Sequence, residues 1–381
     1  MDVSSSLSAP DMASCDEPWG AAGDAAEQSL TLRFRLWRNR LIGSSRFQAW
    51  ASRFLLTRPV ARREARALFD LTAGFVYTQT AAALVESGLL DALVEQPLTV
   101  SQAAVRAGLP EPATLTLLKA AASLKLTEQT GARWTLGTRG AALAATPGLA
   151  DMIRHHRLLY ADLADPLAML RGAGPDRLAP LWRYDGSADP EQVATYSRLM
   201  AATQPMIAAQ AISAYDFRRH KRLLDIGGGQ GVFLAAAGAQ APQLELGLFD
   251  LPAVTARVAP RPRFTLHPGS FLHEPLPTGY DLHSLVRVLH DHDDAPAARI
   301  LAASRAALAP GGRLLIVEPM AAAGAAPEGH AYFGLYLAAM RSGRPREPRE
   351  IKDMLHAAGF GRARMLRTPL PMVARCILAF A

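Results

Sequence analysis

A chain of 381 residues with 50% apolar content is long for one core and suits two. It has no run approaching the ~18 to 20 consecutive apolar residues of a membrane-spanning helix and no signal-peptide-like start, so a cytoplasmic protein is expected. Its two cysteines, Cys15 and Cys376, stand at opposite ends of the chain, which excludes a disulfide framework and offers no thiolate metal site.

The net charge of +7 is distributed in blocks. Residues 1–29 hold six acids and no Lys or Arg, and are expected to form a disordered acidic tail. Residues 30–67 read as a basic amphipathic arm, in which ten arginines stand against Glu64 alone. Leu30, Phe34, Trp37 and Leu41 recur at helical spacing, and Phe47, Trp50 and Phe54 form a second stripe after Gly43. Two readings stay open for the arm: it lies on an anionic membrane surface, or its stripe packs on the protein itself or on a second subunit while the arginines face water.

Residues 68–205 read as helical with one small hairpin. "FVYTQTAAALVESGLLDAL" has helical spacing, "LTVSQAAVRAGLP" and "PATLTLLKAAASL" predict two helices joined across Gly108 to Pro112, and "KLTEQTGARWTL" alternates around a turn at Thr130-Gly131. Helix, turn, helix and hairpin outline a winged helix. Its second helix offers only Lys119 and Lys125, where groove reading needs Arg, Asn, Gln and phosphate-contacting cations. No nucleic-acid partner is therefore expected.

From residue 206 to the C-terminus the pattern alternates between strands and helices. Strands are predicted at 221–226, 244–250, 263–267, 281–290, 312–319, 362–368 and 372–380, the last two antiparallel to each other, giving a doubly wound, mostly parallel seven-stranded sheet. The first strand runs into four glycines. The dinucleotide fingerprint fails because glycine would be needed at Val232, and no phosphate loop of the nucleotide-hydrolase kind occurs.

In an open parallel sheet the ligand crevice lies beyond the carboxyl ends of the strands. Asp225 with Gly227 and Gly229, Asp250 with Leu251, Gly269-Ser270-Phe271, His290 and Glu318 all fall there. Asp250, 19 residues past Gly231, is placed to accept hydrogen bonds from ribose hydroxyls, which points to a nucleoside-bearing ligand. "HDHDD" lacks a third well-spaced ligand group, so no metal is expected. Tyr332, Phe333, Tyr336 and Met340 share one face of a later helix without an acid or amide, and with Met200 they are assigned to an apolar substrate wall.

"LLDIGGGQG", "LFDLP", "RVLHDHDD" and "GGRLLIVEP", in this order behind a winged-helix-like half, resemble the class I S-adenosylmethionine-dependent O-methyltransferases of small molecules over about residues 68–381. "WRNRLIGSSRFQAWASRFLLTRPVARREARALFDLTAGFVYTQ" more narrowly resembles the carotenoid O-methyltransferases of purple phototrophic bacteria. The resemblance implies a Rossmann-like methyltransferase domain preceded by a winged-helix-like dimerisation domain. It also implies S-adenosylmethionine as cofactor, a homodimer, and as acceptor the tertiary hydroxyl of an acyclic, demethylspheroidene-type carotenoid.

By the same resemblance Gly227 lies against the cofactor's amino-acid portion, Asp250 takes the ribose hydroxyls, Ser270 and Phe271 border the adenine, and Arg287 helps hold the cofactor. His290 is the general base and Glu318 the first of two acids that orient it. The family often has Asp where this chain has Ser270. The second orienting acid falls at Pro345, with Glu347 two residues away as a substitute.

Overall fold

The computed structural model describes residues 30–182, 190–259, 263–321 and 327–381; the expected acidic tail, 1–29, lies outside them. The chain divides into two compact units, residues 1–76 and 77–381.

In the described part of the first unit, α1 (Leu30–Ile42) and α2 (Ser45–Arg53) are separated at Gly43, and α3 (Arg58–Glu86) follows. Ser44 caps α2 by accepting the Phe47 N–H at 3.5 Å. The Trp50 and Phe54 rings stack with centroids 5.0 Å apart. Ala51 is the only buried residue between 30 and 76 among the described residues, and Trp37 and Leu56 are 58% and 77% exposed. By length and composition α3 would reach across a bilayer. Its last turns are instead built into a protein core, with Leu84 and Val85 fully buried.

The second unit begins within α3. The expected single helix over 75–93 is broken at Gly88, whose φ of +72° ends α3 and opens α4 (Leu89–Glu95). Next come α5 (Val100–Ala107), started by a Thr99–Gln102 capping box, and α6 (Glu111–Ser123). The antiparallel hairpin β1 (Thr127–Thr130) and β2 (Arg133–Leu136) completes the winged-helix outline. Leu90, Leu118 and Trp134 fill its core. Four helices lead onward: α7 (Thr138–Ala145), α8 (Leu149–Asp162), α9 (Pro166–Leu170) and α10 (Pro190–Ala214).

The sheet strands are β3 (Arg222–Ile226), β4 (Glu245–Asp250), β5 (Phe264–Pro268), β6 (Tyr280–Val286), β7 (Leu308–Glu318), β8 (Arg362–Leu366) and β9 (Arg375–Phe380). Their spatial order is β5-β4-β3-β6-β7-β9-β8, with β9 alone running against its neighbours. Between them run α11 (Val232–Gln240), α12 (Pro252–Thr255), α13 (Asp294–Ala307), α14 (Pro327–Met340) and α15 (Pro348–Ala357). The period-2 alternation of strand side chains sends Leu223, Leu246 and Leu315 into one core layer and Leu224, Leu285 and Ile316 into the other. The sequence order reverses between β3 and β6, and a crevice opens above that switch point.

The fourth strand departs from expectation. It stops at Val286 and does not reach His290. Arg287 takes φ +59°, which ends the pleat, and its N–H donates to the Val317 carbonyl at 2.8 Å. The chain then makes one turn of 3-10 helix, Leu289–Asp291, and His290 is presented from that turn.

Two glycines of the β3–α11 loop are under different constraints. Gly229 has φ +56° with open space around a notional Cβ, whereas at Gly231, φ +72°, a Cβ would run into the Phe264 ring and the Leu248 side chain. Gly229→Ala is expected to cost about 1 kcal/mol for left-handed strain alone, and Gly231→Ala about 3 kcal/mol because overpacking adds to it. Equilibrium urea unfolding of the two variants measures the difference.

Candidate active site

The crevice holds a cavity of about 640 Å³. Its floor is the glycine loop, in which Gly227, Gly229 and Gly231 all have positive φ. Asp250, at the end of β4, accepts the Gly229 N–H and the Leu251 N–H, each at 2.7 Å and each on a different oxygen. Burial nevertheless pushes its carboxyl up to about 6. Asp225 lies beneath the loop, accepts the Ser284 hydroxyl at 2.6 Å, and is pushed up to about 7 by burial.

Arg287, Ser270 and Phe271 line the same cavity. The Arg287 guanidinium donates to Thr203 Oγ1 at 3.0 Å and Gln204 Oε1 at 3.4 Å, and lies 2.6 Å from Met200 Sδ, all on α10. It forms no ion pair among the described residues, so its charge is left for an anionic ligand group. A carboxylate at the end of β4, a glycine loop and an arginine without an ion pair among the described residues fit an amino acid joined to a nucleoside.

The reacting end is built on the turn after β6. His290 and Asp291 are each 6% exposed, and Glu318, at the end of β7, is fully buried. His290 Nδ1 lies 3.4 Å from Glu318 Oε2, which also accepts the His290 backbone N–H at 3.2 Å. His290 Nε2 lies 3.1 Å from Asp291 Oδ1. Burial by itself would lower the imidazole's pKa, but the Asp291 and Glu318 carboxylates outweigh it and hold it above the ordinary histidine value. Burial pushes Asp291 up to about 7, against the pull of His290 and Arg287.

Met200, Tyr332, Phe333, Tyr336 and Met340 also line the cavity, and the Phe333 ring stands edge-on to His290 with centroids 6.4 Å apart. Gly227, Gly229, Asp250, Leu251, Ser270, Phe271, Arg287 and His290 are brought to the same cavity, whereas Asp225, Gly269 and Glu318 are not among its lining. Asp225 and Glu318 support it from beneath, and Gly269 packs on the Phe249 ring. Glu347 is exposed and spent on the capping box of α15, so it does not reach His290.

Three contributions were not foreseen from the sequence. Asp291 meets the imidazole from the Nε2 side; its position inside "HDHDD" was the available signal, there weighed as metal ligation. His292 sits edge-to-face with Phe271, centroids 5.4 Å apart. Arg346, fully buried, donates to the carbonyls of Leu289 and His292, both at 2.7 Å, and pairs with Asp294 at 2.8 Å. No local pattern marks that role.

Residues 160–361 match a family model described as the O-methyltransferase domain. The chain is 44% identical over 355 residues to demethylspheroidene O-methyltransferase of Cereibacter sphaeroides, covering 89% of this chain and 93% of that protein. It is 32% identical over 320 residues to 3-amino-4-hydroxybenzoate 4-O-methyltransferase of Streptomyces cremeus, covering 77% and 85%. Its fold matches the crystal structure of human N-acetylserotonin methyltransferase in complex with SAM, with a TM-score of 0.71 at 23% identity over 83% of this chain and 97% of that one.

The two carboxylates around His290 predict a titration. Followed by NMR, the imidazole should titrate above 6.5 in the unaltered protein. In Asp291→Asn, which removes the negative neighbour on Nε2, its pKa should fall.

Proposed function

The chain belongs to the O-methyltransferase family and uses S-adenosylmethionine as methyl donor, and we propose that its acceptor is the tertiary hydroxyl of an acyclic carotenoid of the demethylspheroidene type. The observation that carries the acceptor is the largely apolar part of the cavity lining made of Tyr332, Phe333, Tyr336, Met340 and Met200, whose Phe333 ring adjoins His290. A relative 44% identical carries the name of that activity.

When bound, S-adenosylmethionine supplies a methyl group on a cationic sulfur, already activated for displacement. Asp250 with Leu251 would hold its ribose, Ser270 and Phe271 its adenine, and Arg287 with the backbone at Gly227 and Gly229 its amino-acid portion. On the acceptor side the apolar wall positions the hydroxyl for in-line attack, and that positioning supplies much of the rate.

The proton remains for His290. Complete prior ionisation by an imidazole of pKa about 6.5 would cost ~5 kcal/mol for a phenol of pKa about 10. For an aliphatic alcohol near water's ~16 the cost would be ~13 kcal/mol. A free alkoxide is thus too costly, so His290 takes the proton as the C–O bond forms, its Nε2 exchanging Asp291 Oδ1, 3.1 Å away, for the acceptor hydroxyl. Glu318 and Asp291 offset the charge that develops on the ring. A raised histidine pKa makes the neutral ring a stronger base, and the same shift makes turnover rise with pH as the imidazolium loses its proton.

Residues 68–205 serve in this reading as the dimerisation domain and 206–381 as the catalytic domain of a homodimer. The exposed aromatic and arginine-rich α1 and α2 touch the anionic cytoplasmic face of the photosynthetic membrane that dissolves the acceptor. The uncompensated arginines favour lipid over a purely apolar protein contact.

Methyl transfer from labelled donor to a hydroxylated acyclic carotenoid in detergent should be observed, and His290→Ala should lower kcat by roughly 10²–10⁴. Labelling of a catechol supplied in parallel, with none of the carotenoid, would move the acceptor to the phenols. Separately, replacing Arg33, Arg35, Arg38 and Arg40 by Gln should release the protein from anionic vesicles in cosedimentation, with turnover of detergent-dissolved acceptor retained.

A further inference from the structure

The acceptor wall contains two hydroxyls that are engaged from behind. His155 Nε2 lies 2.9 Å from the Tyr336 hydroxyl and His156 Nε2 lies 2.7 Å from the Tyr332 hydroxyl. Consecutive residues of α8 thus meet tyrosines one turn apart on α14. The two tyrosine rings stack with centroids 5.9 Å apart, and Phe333 stands edge-on to Tyr332 at 4.9 Å. Both tyrosines line the cavity and neither histidine does. Burial lowers both imidazoles, His155 to about 4, so each is neutral near pH 7 and carries one acceptor nitrogen.

Two untethered phenols facing the cavity would suit a polar acceptor, which could pair with them. A hydrocarbon packed over them would leave them unpaired, a cost that falls on the buried Tyr336 in full and on Tyr332, 37% exposed, in part. Holding the phenols against α8 changes the wall. We propose that His155 and His156 are positioning residues that set the acceptor class: each accepts a tyrosine's phenol proton, so that Tyr336 and Tyr332 turn ring surface, and no free donor, toward an apolar acceptor. This rests on the carotenoid reading above and names the residues that make the wall apolar without removing its tyrosines.

The test is steady-state kinetics of the full chain with the hydroxylated carotenoid and with a catechol, on His155→Phe, His156→Phe, His156→Gln and the double variant His156→Phe/Tyr332→Phe. For each His→Phe variant the carotenoid KM should rise about fivefold, the size of one net hydrogen bond, with kcat nearly unchanged, while the catechol KM falls. His156→Gln keeps an acceptor and should behave as the unaltered protein. The double variant has no phenol left to hold and should recover the carotenoid KM. Loss of kcat for both acceptors alike, or no recovery in the double variant, would show that the pairs only brace α8 against α14. Failure of the unaltered protein to label carotenoid would overturn the functional reading itself, before any variant is compared.

Discussion

The site depends on how the chain leaves β6. Arg287 turns the strand off its path with a left-handed backbone, and a short 3-10 turn then carries His290 and Asp291 to the crevice. Such a turn leaves carbonyls without strand or helix partners, and buried carbonyls need donors. Arg346 supplies them to Leu289 and His292. Beside it the Ser342 hydroxyl donates to the Asp291 carbonyl at 2.7 Å, and the Gly343 N–H to Asp293 at 3.0 Å. Gly343, at φ +76°, approaches so closely that a Cβ would strike the backbone of His290 and Asp291. The turn that carries His290 is therefore strapped from outside by residues 342–346.

That strap explains the expense of a fully buried guanidinium. A charge of that kind is tolerated only when paired and fully hydrogen-bonded, and Arg346 meets both conditions through two carbonyls and Asp294. His290 and the carboxyl groups of Asp291 and Glu318 are thereby held on a framework that their own side chains do not have to maintain. Glu318 is free to direct one oxygen at His290, its other oxygen being buried with no hydrogen-bond partner among the described residues. This arrangement concentrates negative charge beside the ring that must become positive.

The strands, their parallel pairing and the glycine loop were legible because they follow from period-2 alternation and from glycine's access to positive φ. The rim of the crevice was legible for the same reason: residues at the carboxyl ends of strands share one edge whatever the register. The turn at Arg287 was not, since arginine gives no sign of a left-handed backbone and the apolar alternation of "SLVRVLH" continues through it. Gly88 was hidden inside an otherwise helical run. Arg346 acts across more than 50 residues of sequence, and His155 and His156 reach partners more than 170 residues away. No period or spacing encodes contacts of that range; only the packing of α8 on α14, and of the strap on the catalytic turn, brings them into being.

The size of the cavity carries one more consequence. Pockets of about 300–1,000 Å³ enclose a single drug-sized ligand, and the donor alone is of that size. At about 640 Å³ little room is left beside a ligand of that size, enough for the hydroxyl-bearing end of a long acceptor and not for its whole length. A cavity of those proportions selects on an end group, and length beyond it meets no wall.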